Sequence, residues 1–316
     1  MSDPSCSLIG CHDESRSFAM DDYVGELPRW CSGCGDHAIL GAMERALATS
    51  RLAPERTLFV SGIGCSGRFP HYVNTYGFHG THGRALPIAT GAKLSRPDLS
   101  VFAVMGDGDC TSIGAGHWIH AVRYNVDMVA LMLDNNVYGL TKKQTSPTSP
   151  QGLATNTQPH GSYLPALNPL VATLGVTNAS FVAQSCDWAP GHLYATLAAA
   201  VAHKGFSFVR VLQRCPVFTP GIFEAAARTP GKTQLLLHDD GIRDEAMEGI
   251  YTNHLEHDPS DLDQARRLAH ESDGVRIGLF YRNESLPRYE ETRRVAALTP
   301  EEKLRRLDEE LDRYVV

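Results

Sequence analysis

Two stretches decide the fold: Val101-Phe102-Ala103-Val104-Met105-Gly106-Asp107-Gly108-Asp109 and Met128-Val129-Ala130-Leu131-Met132-Leu133-Asp134-Asn135-Asn136. Each is a short, unbroken apolar run that stops abruptly at glycine, aspartate or asparagine. Runs of that length without polar alternation read as strands buried on both faces. Between them, 111–123 reads as a helix, so the unit is strand, crossover helix, strand. Such a crossover makes the two strands parallel and brings both carboxyl ends to one edge.

The alternation extends outward from this unit. Upstream, Ile39, Met43, Ala46 and Leu47 recur at helical spacing over 36–50, with Asp36 available as a cap after Gly35. A strand follows at 57–61, then a helix over 85–95 that Arg96-Pro97 ends. Downstream, a polar loop spans 141–167 and Asn168-Pro169 opens a helix. A strand at 181–183, an alanine-rich helix at 191–203 and a strand at 207–212 complete the pattern. The fold class expected is α/β, an open, mostly parallel sheet with helices on both faces. Ligands of such sheets bind outside the carboxyl ends of the strands.

The flanks differ. Residues 1–20 read as a flexible arm, 21–230 as the main domain and 231–316 as a charged C-terminal extension, with one strong strand at 276–281. Thr299-Pro300-Glu301-Glu302 reads as a capping box with proline at the first helical position. The helix it starts carries a stripe of Leu304, Leu307 and Leu311, which needs burial on this domain or on a partner.

Composition excludes some functions. The net charge of −7 over 316 residues argues against a nucleic-acid surface. No apolar run approaches the roughly 20 residues of a membrane helix. The acidic start, without a long apolar stretch, does not read as a signal peptide, so a cytoplasmic location is expected. There the 8 cysteines need an explanation other than disulfides.

Two groups of residues carry chemistry. The first is Gly106-Asp107-Gly108-Asp109 with Asn135-Asn136, at the ends of two strands that can face one ligand. Glycines allow close approach to a phosphate, and Asp and Asn oxygens suit Mg²⁺. Read singly, each is a turn or a loop; together they point to a diphosphate and metal site. The second group begins with Cys31-Ser32-Gly33-Cys34, which can grip a metal or cluster. A lone C-x-x-C is also compatible with half a zinc site or with thiol exchange. Pro28 and Trp30 precede it where a thioredoxin-like motif would have a strand, which argues against exchange. Cys65, Cys215 and Cys186 each follow a strand, and spacing alone does not choose among them. Cys6 and Cys11 sit in the arm, and Cys110 abuts the diphosphate loop.

The spaced Gly-Asp-Gly and Asn-Asn pair resembles the diphosphate motif of thiamine-diphosphate enzymes. In order along the chain, Cys31-Ser32-Gly33-Cys34-Gly35, Ile63-Gly64-Cys65-Ser66, His82-Gly83-Arg84, Gly106-Asp107-Gly108-Asp109, Asp134 to Lys142 and Gln213-Arg214-Cys215-Pro216 resemble β subunits of 2-oxoacid:ferredoxin oxidoreductases. The resemblance runs from about residue 25 to 225 and implies a thiamine-diphosphate-binding domain of the diphosphate type. It implies Mg²⁺ on Asp107, Asn135 and the Val137 carbonyl, with Gly108, Asp109, Gly139 and Leu140 along the diphosphate. Ile63, Gly64, Ser66 and His82 would touch thiamine, and Cys31, Cys34, Cys65 and Cys215 would hold a [4Fe–4S] cluster. His82 would handle a proton, while Arg84 and Lys142 would meet substrate carboxylate or diphosphate oxygens.

The activity implied is oxidative decarboxylation of a 2-oxoacid with coenzyme A, giving acyl-CoA and CO₂, with electrons passing through the cluster to ferredoxin. Thr141-Lys142-Lys143-Gln144 favours 2-oxoglutarate; pyruvate and other 2-oxoacids stay open. The glutamate that engages the thiamine pyrimidine would come from an α subunit, so activity would need that partner. A non-enzymatic iron–sulfur carrier, a zinc-stabilised interaction module and a decarboxylase of the same cofactor class without electron transfer are the competing readings. The carrier leaves the diphosphate motif unexplained, and such a decarboxylase does not need four converging thiolates.

Overall fold

A computed structural model describes residues 16–270, 274–292 and 298–314 of the chain. Cys6, Cys11 and most of the 1–20 arm lie outside the described residues. Nine strands form one sheet: β1 (Thr57–Ser61), β2 (Tyr76–His79), β3 (Ser100–Gly106), β4 (Met128–Asp134), β5 (Phe181–Cys186), β6 (Phe206–Leu212), β7 (Thr233–Leu237), β8 (Asn253–Glu256) and β9 (Val275–Arg282). Their order is β2-β1-β3-β4-β6-β5-β9-β7-β8. All pairs from β2 to β5 are parallel. β9 runs antiparallel to β5, and β7 and β8 run with β9.

Side-chain alternation explains why the central strands read as unbroken apolar runs. Val101, Ala103, Met105, Met128, Ala130 and Met132 pack on one face, with Ala89, Trp118 and Ala121. Phe102, Val104, Val129, Leu131 and Leu133 pack on the other, with Ile39, Met43, Leu47, Leu193 and Leu197. Helices Ala85–Ser95 and Ala115–Tyr124 thus cover one face, and Asp36–Thr49 and Pro190–Ala202 the other. With both faces covered, a polar outward face has no place. Asn168 caps its helix as expected, its Oδ1 accepting from the Leu170 and Val171 amides.

Four local expectations change. The helix expected over 111–123 is two pieces, Asp107–Thr111 and Ala115–Tyr124, so the Gly-Asp-Gly-Asp stretch runs directly from β3 into a short helix. Asp36 does not cap its helix: Gly35 holds that position, and Asp36 Oδ2 instead accepts from Cys34 Sγ at 3.5 Å. β2 was not apparent because all four of its residues are exposed, leaving no burial pattern to read. In the tail, β7 and β8 join β9 in extending the same sheet, where one strand was expected.

The C-terminal helix Pro300–Asp312 has its capping box, with Thr299 Oγ1 accepting from the Glu302 amide and Glu302 Oε2 from the Thr299 amide. Its leucine stripe is more than half exposed at Leu304, Leu307 and Leu311. Among the described residues no helix is long and apolar enough to cross a membrane.

Candidate cofactor and cluster site

Strand register builds the site. Ser61 pairs with Val104, Gly106 with Leu133, and Asp134 with Leu212. The segments following β1, β3, β4 and β6 therefore leave the sheet side by side. A cleft opens among them, lined by Ile63, Gly64, Cys65 and Ser66 after β1 and by Gly106 to Asp109 after β3. Leu133 of β4, Asn135 and Val137 to Thr141 after it, Gln213 after β6, and Arg68, His79 and His82 complete the lining.

Two glycines are required by this geometry. Gly64 sits at φ +85°, and a Cβ there would meet nothing within 4 Å, so the residue presents bare backbone to open space. At Gly108 a Cβ would stand 2.3 Å from the Tyr138 ring, whose hydroxyl donates to the Gly108 carbonyl at 2.9 Å.

Asp107 is buried, and its Oδ2 accepts from Thr148 Oγ1 at 2.6 Å and from Ser146 Oγ. Burial, and then the neighbouring Asp134 carboxylate, push Asp107 up to about 7. Asp134 is itself buried and pairs with Arg210, at 2.6 Å to Nη2 and 2.8 Å to Nε. The guanidinium thus offsets Asp134, while Asp107 is held by the Ser146 and Thr148 hydroxyls. A divalent cation would offset the remaining negative charge, and the neutral oxygens of Asn135 and Val137 suit a hard ion such as Mg²⁺. The donor set fits the group. Among the described residues no three His, Cys, Asp or Glu side chains converge on a single-ion site; the candidate here offers one carboxylate and two neutral oxygens.

His82 is held by Asp109. Its Nδ1 lies 2.5 Å from Asp109 Oδ1, which also accepts the Gly83 amide at 2.7 Å. Asp109 lines the cleft, and its Oδ1 is engaged in orienting the imidazole. A carboxylate on Nδ1 favours the tautomer with its proton there and leaves Nε2 to exchange a proton.

Arg84 and Lys142 do not line the cleft. Arg84 donates to the carbonyls of Gly83 at 3.2 Å and Ile113 at 3.4 Å. Lys142 is exposed, at φ +72°. The cation that does line the cleft is Arg68, which was not singled out from the sequence. It lies three residues past Cys65 in the same segment, but its direction depends on the turn Gly64–Gly67, which no periodicity reveals. His79, which also lines the cleft, was not singled out either, and Tyr138 and Gln213 stood in quoted motifs without a role.

The cysteines expected to hold a cluster come from three segments tied by hydrogen bonds. The Gly35 amide donates to the Arg214 carbonyl at 3.1 Å, and Trp30 Nε1 to the Cys65 carbonyl at 2.8 Å. Burial, then Asp36, then Cys215 and Cys31 push the Cys65 thiol up to about 12. Burial, followed by Asp36 and with a smaller part from Cys65, raises Cys34 far above the usual thiol range. Cys65 thus lies within electrostatic reach of Cys31, Cys34 and Cys215, and bound iron would stabilise their thiolates. Cys186 is instead fully buried among Ala189, Leu212, Leu235, Tyr251 and Ile277. Cys110 is fully buried in the core that contains Met105 and Trp118.

Known proteins share this fold. Residues 62–211 match the model of the thiamine pyrophosphate enzyme C-terminal TPP-binding domain, and the fold and its cleft are those of that class of enzyme domain. Residues 239–297 match the C-terminal model of the pyruvate ferredoxin oxidoreductase β subunit. The 2-oxoacid:ferredoxin oxidoreductase subunit β of a Sulfolobus species is 38% identical over 277 residues, 86% of each chain. The 2-oxoglutarate oxidoreductase subunit KorB of Mycobacterium tuberculosis is 44% identical over 223 residues, 71% of this chain and 58% of that protein, less than two thirds of its length. The solved 2-oxoglutarate:ferredoxin oxidoreductase from Magnetococcus marinus, with 2-oxoglutarate, coenzyme A and succinyl-CoA bound, superposes with a TM-score of 0.76 at 33% identity. That match covers 93% of this chain and 91% of the other. This chain belongs to the family of 2-oxoacid:ferredoxin oxidoreductase β subunits.

Proposed function

We propose that this chain carries thiamine diphosphate, Mg²⁺ and one [4Fe–4S] cluster in a cytoplasmic enzyme that oxidatively decarboxylates a 2-oxoacid, with 2-oxoglutarate the favoured substrate. Coenzyme A takes the acyl group, and electrons leave through the cluster to a ferredoxin. The observation that carries this reading is the position of Cys65. It lines the diphosphate cleft and also neighbours Cys31, Cys34 and Cys215.

Bound thiamine diphosphate supplies an electron sink for loss of the 2-oxoacid carboxyl group. Asp107, Asn135 and the Val137 carbonyl hold Mg²⁺. Gly108, Asp109, Gly139 and Leu140 line the diphosphate, while Ile63, Gly64 and Ser66 border the thiamine. His82, fixed by Asp109, holds or releases a proton at Nε2. Arg84 supports this wall through backbone carbonyls. The division into an arm at 1–20, a cofactor domain at 21–230 and a subunit-contacting extension at 231–316 goes with this reading.

Among the described residues no glutamate lines the cleft, which supports a pyrimidine-binding glutamate from an α subunit. The exposed Leu304–Leu311 stripe is a candidate contact for that partner. The chain purified anaerobically without a partner, its cluster and cofactor restored, is expected to show no 2-oxoacid-dependent dye reduction. Adding the α subunit should restore it. Substantial turnover by the chain alone would sink the two-subunit reading.

Substrate choice has its own test. Among the described residues Arg68 is the arginine or lysine that lines the cleft, and in this reading it is the group that meets the distal carboxylate of 2-oxoglutarate. A charge-assisted hydrogen bond contributes about 1.5–3 kcal/mol, so Arg68→Met should raise the apparent KM for 2-oxoglutarate ~10- to 100-fold. The KM for pyruvate should change far less, and Lys142→Met should leave both nearly unchanged. Equal losses on both substrates would reassign Arg68 to the carboxylate they share.

A further inference from the structure

Gln213 follows β6, between the cofactor cleft and the cysteines. Its side chain is buried at 1% exposure and forms part of the cleft wall. Its backbone is fixed by donation to the Asp134 carbonyl at 2.9 Å. The side-chain Nε2 donates twice, to the Arg214 carbonyl at 2.8 Å and to Cys34 Sγ at 3.2 Å. An amide has two N–H groups, and both are used. The opposite orientation would set the amide oxygen against a carbonyl oxygen and a sulfur, so these two acceptors choose the orientation. Asp36 faces the same sulfur from its own helix, its carboxylate accepting from the thiol and its backbone amide also directed at the sulfur. Gln213 is the side-chain amide donor to this sulfur, and its bond strengthens once Cys34 becomes a thiolate.

Resting on the cluster assignment proposed above, we infer that Gln213 is a positioning residue that sets the reduction potential of the cluster through an N–H···S hydrogen bond to Cys34. Reduction adds negative charge to the cluster and its sulfurs. A donor to a ligand sulfur stabilises the reduced form more than the oxidised form and raises the potential. Because the same side chain walls the cofactor cleft, the residue that adjusts the acceptor's potential touches the space where the electrons originate.

The test is an anaerobic redox titration of the αβ holoenzyme followed by electron paramagnetic resonance, with iron and sulfide measured on each sample. Gln213→Leu removes the donor. At full iron content its cluster should be about tenfold harder to reduce at a fixed potential, a shift of ~59 mV to more negative values for one electron. Gln213→Glu, which replaces the donor with an acceptor, should shift at least as far in the same direction. A fully loaded variant with the wild-type potential overturns the inference. Should both variants lose iron, the reduced wild-type protein carrying ¹⁵N in its glutamine side chains decides the matter. A resolved ¹⁵N coupling to the cluster supports the hydrogen bond, and its absence overturns it. A wild-type holoenzyme without iron and sulfide would refute the cluster itself, a result separable from all of these.

Discussion

Asp107→Ala should abolish Mg²⁺-dependent thiamine diphosphate binding, weakening it at least ~100-fold by calorimetry at fixed Mg²⁺, or about 2.7 kcal/mol. The substitution removes the one charged ligand of a hard cation, in a buried setting where water is a poor substitute. Asn135→Ala removes a neutral oxygen and should cost about tenfold. The loss is distinguishable from unfolding. Asp107 lies against the buried Asp134 carboxylate, which helps to push it up to about 7. Deleting it relieves a like-charge contact, so the cofactor-free variant should keep its melting temperature. The stabilisation that wild type gains from cofactor and Mg²⁺ should vanish. The same position predicts a pH dependence. The cation needs the ionised carboxylate and competes with its proton, so wild-type affinity should rise as pH increases through about 7 and fall below it. Unchanged affinity in Asp107→Ala would rule out the metal assignment.

The second large effect concerns iron. Cys31→Ser, Cys34→Ser, Cys65→Ser and Cys215→Ser should each lose the cluster, read as loss of iron, sulfide and brown colour after anaerobic purification. A serine oxygen is a poor replacement for a thiolate on iron, and three remaining ligands leave one iron open. Cys186→Ser should keep its iron, because that thiol is packed among apolar side chains. Cys6→Ser and Cys11→Ser should also keep theirs. Cys31, Cys34 and Cys215 stand outside the cleft lining, so their variants should still bind thiamine diphosphate. Full iron content in Cys215→Ser would show that another residue is the fourth ligand.

How much of this was legible in the sequence depends on the range of the interaction involved. The alternation of strands and helices was readable because each central strand is covered on both faces, which makes it a continuous apolar run. β7 and β8 were harder to see, being short and set in a charged segment. β2 is exposed at every position and left no burial pattern. At Asp36 the expectation of a helix cap failed for a local reason. The carboxylate meets Cys34, a contact that depends on how the preceding turn folds back.

By itself, the sequence determined the order of elements and, through the glycine, aspartate, asparagine and cysteine residues just past the strand ends, which edge of the sheet would carry the chemistry. These signals are local: apolar periodicity and backbone freedom are written into neighbouring residues. Only the tertiary structure decided which side chains converge there. It turned Arg68 into the cleft and left Lys142 outside, engaged Asp109 with His82, and set Cys186 in an apolar cluster. It also placed Gln213 against Cys34. Residues so far apart in sequence meet through strand register and the path of the connecting turns, and one residue of slip in a strand reverses the face of every side chain on it. Periodicity locates a strand, but the pairing of strands, set by packing across the whole sheet, fixes which strand ends lie side by side and so which residues share a site.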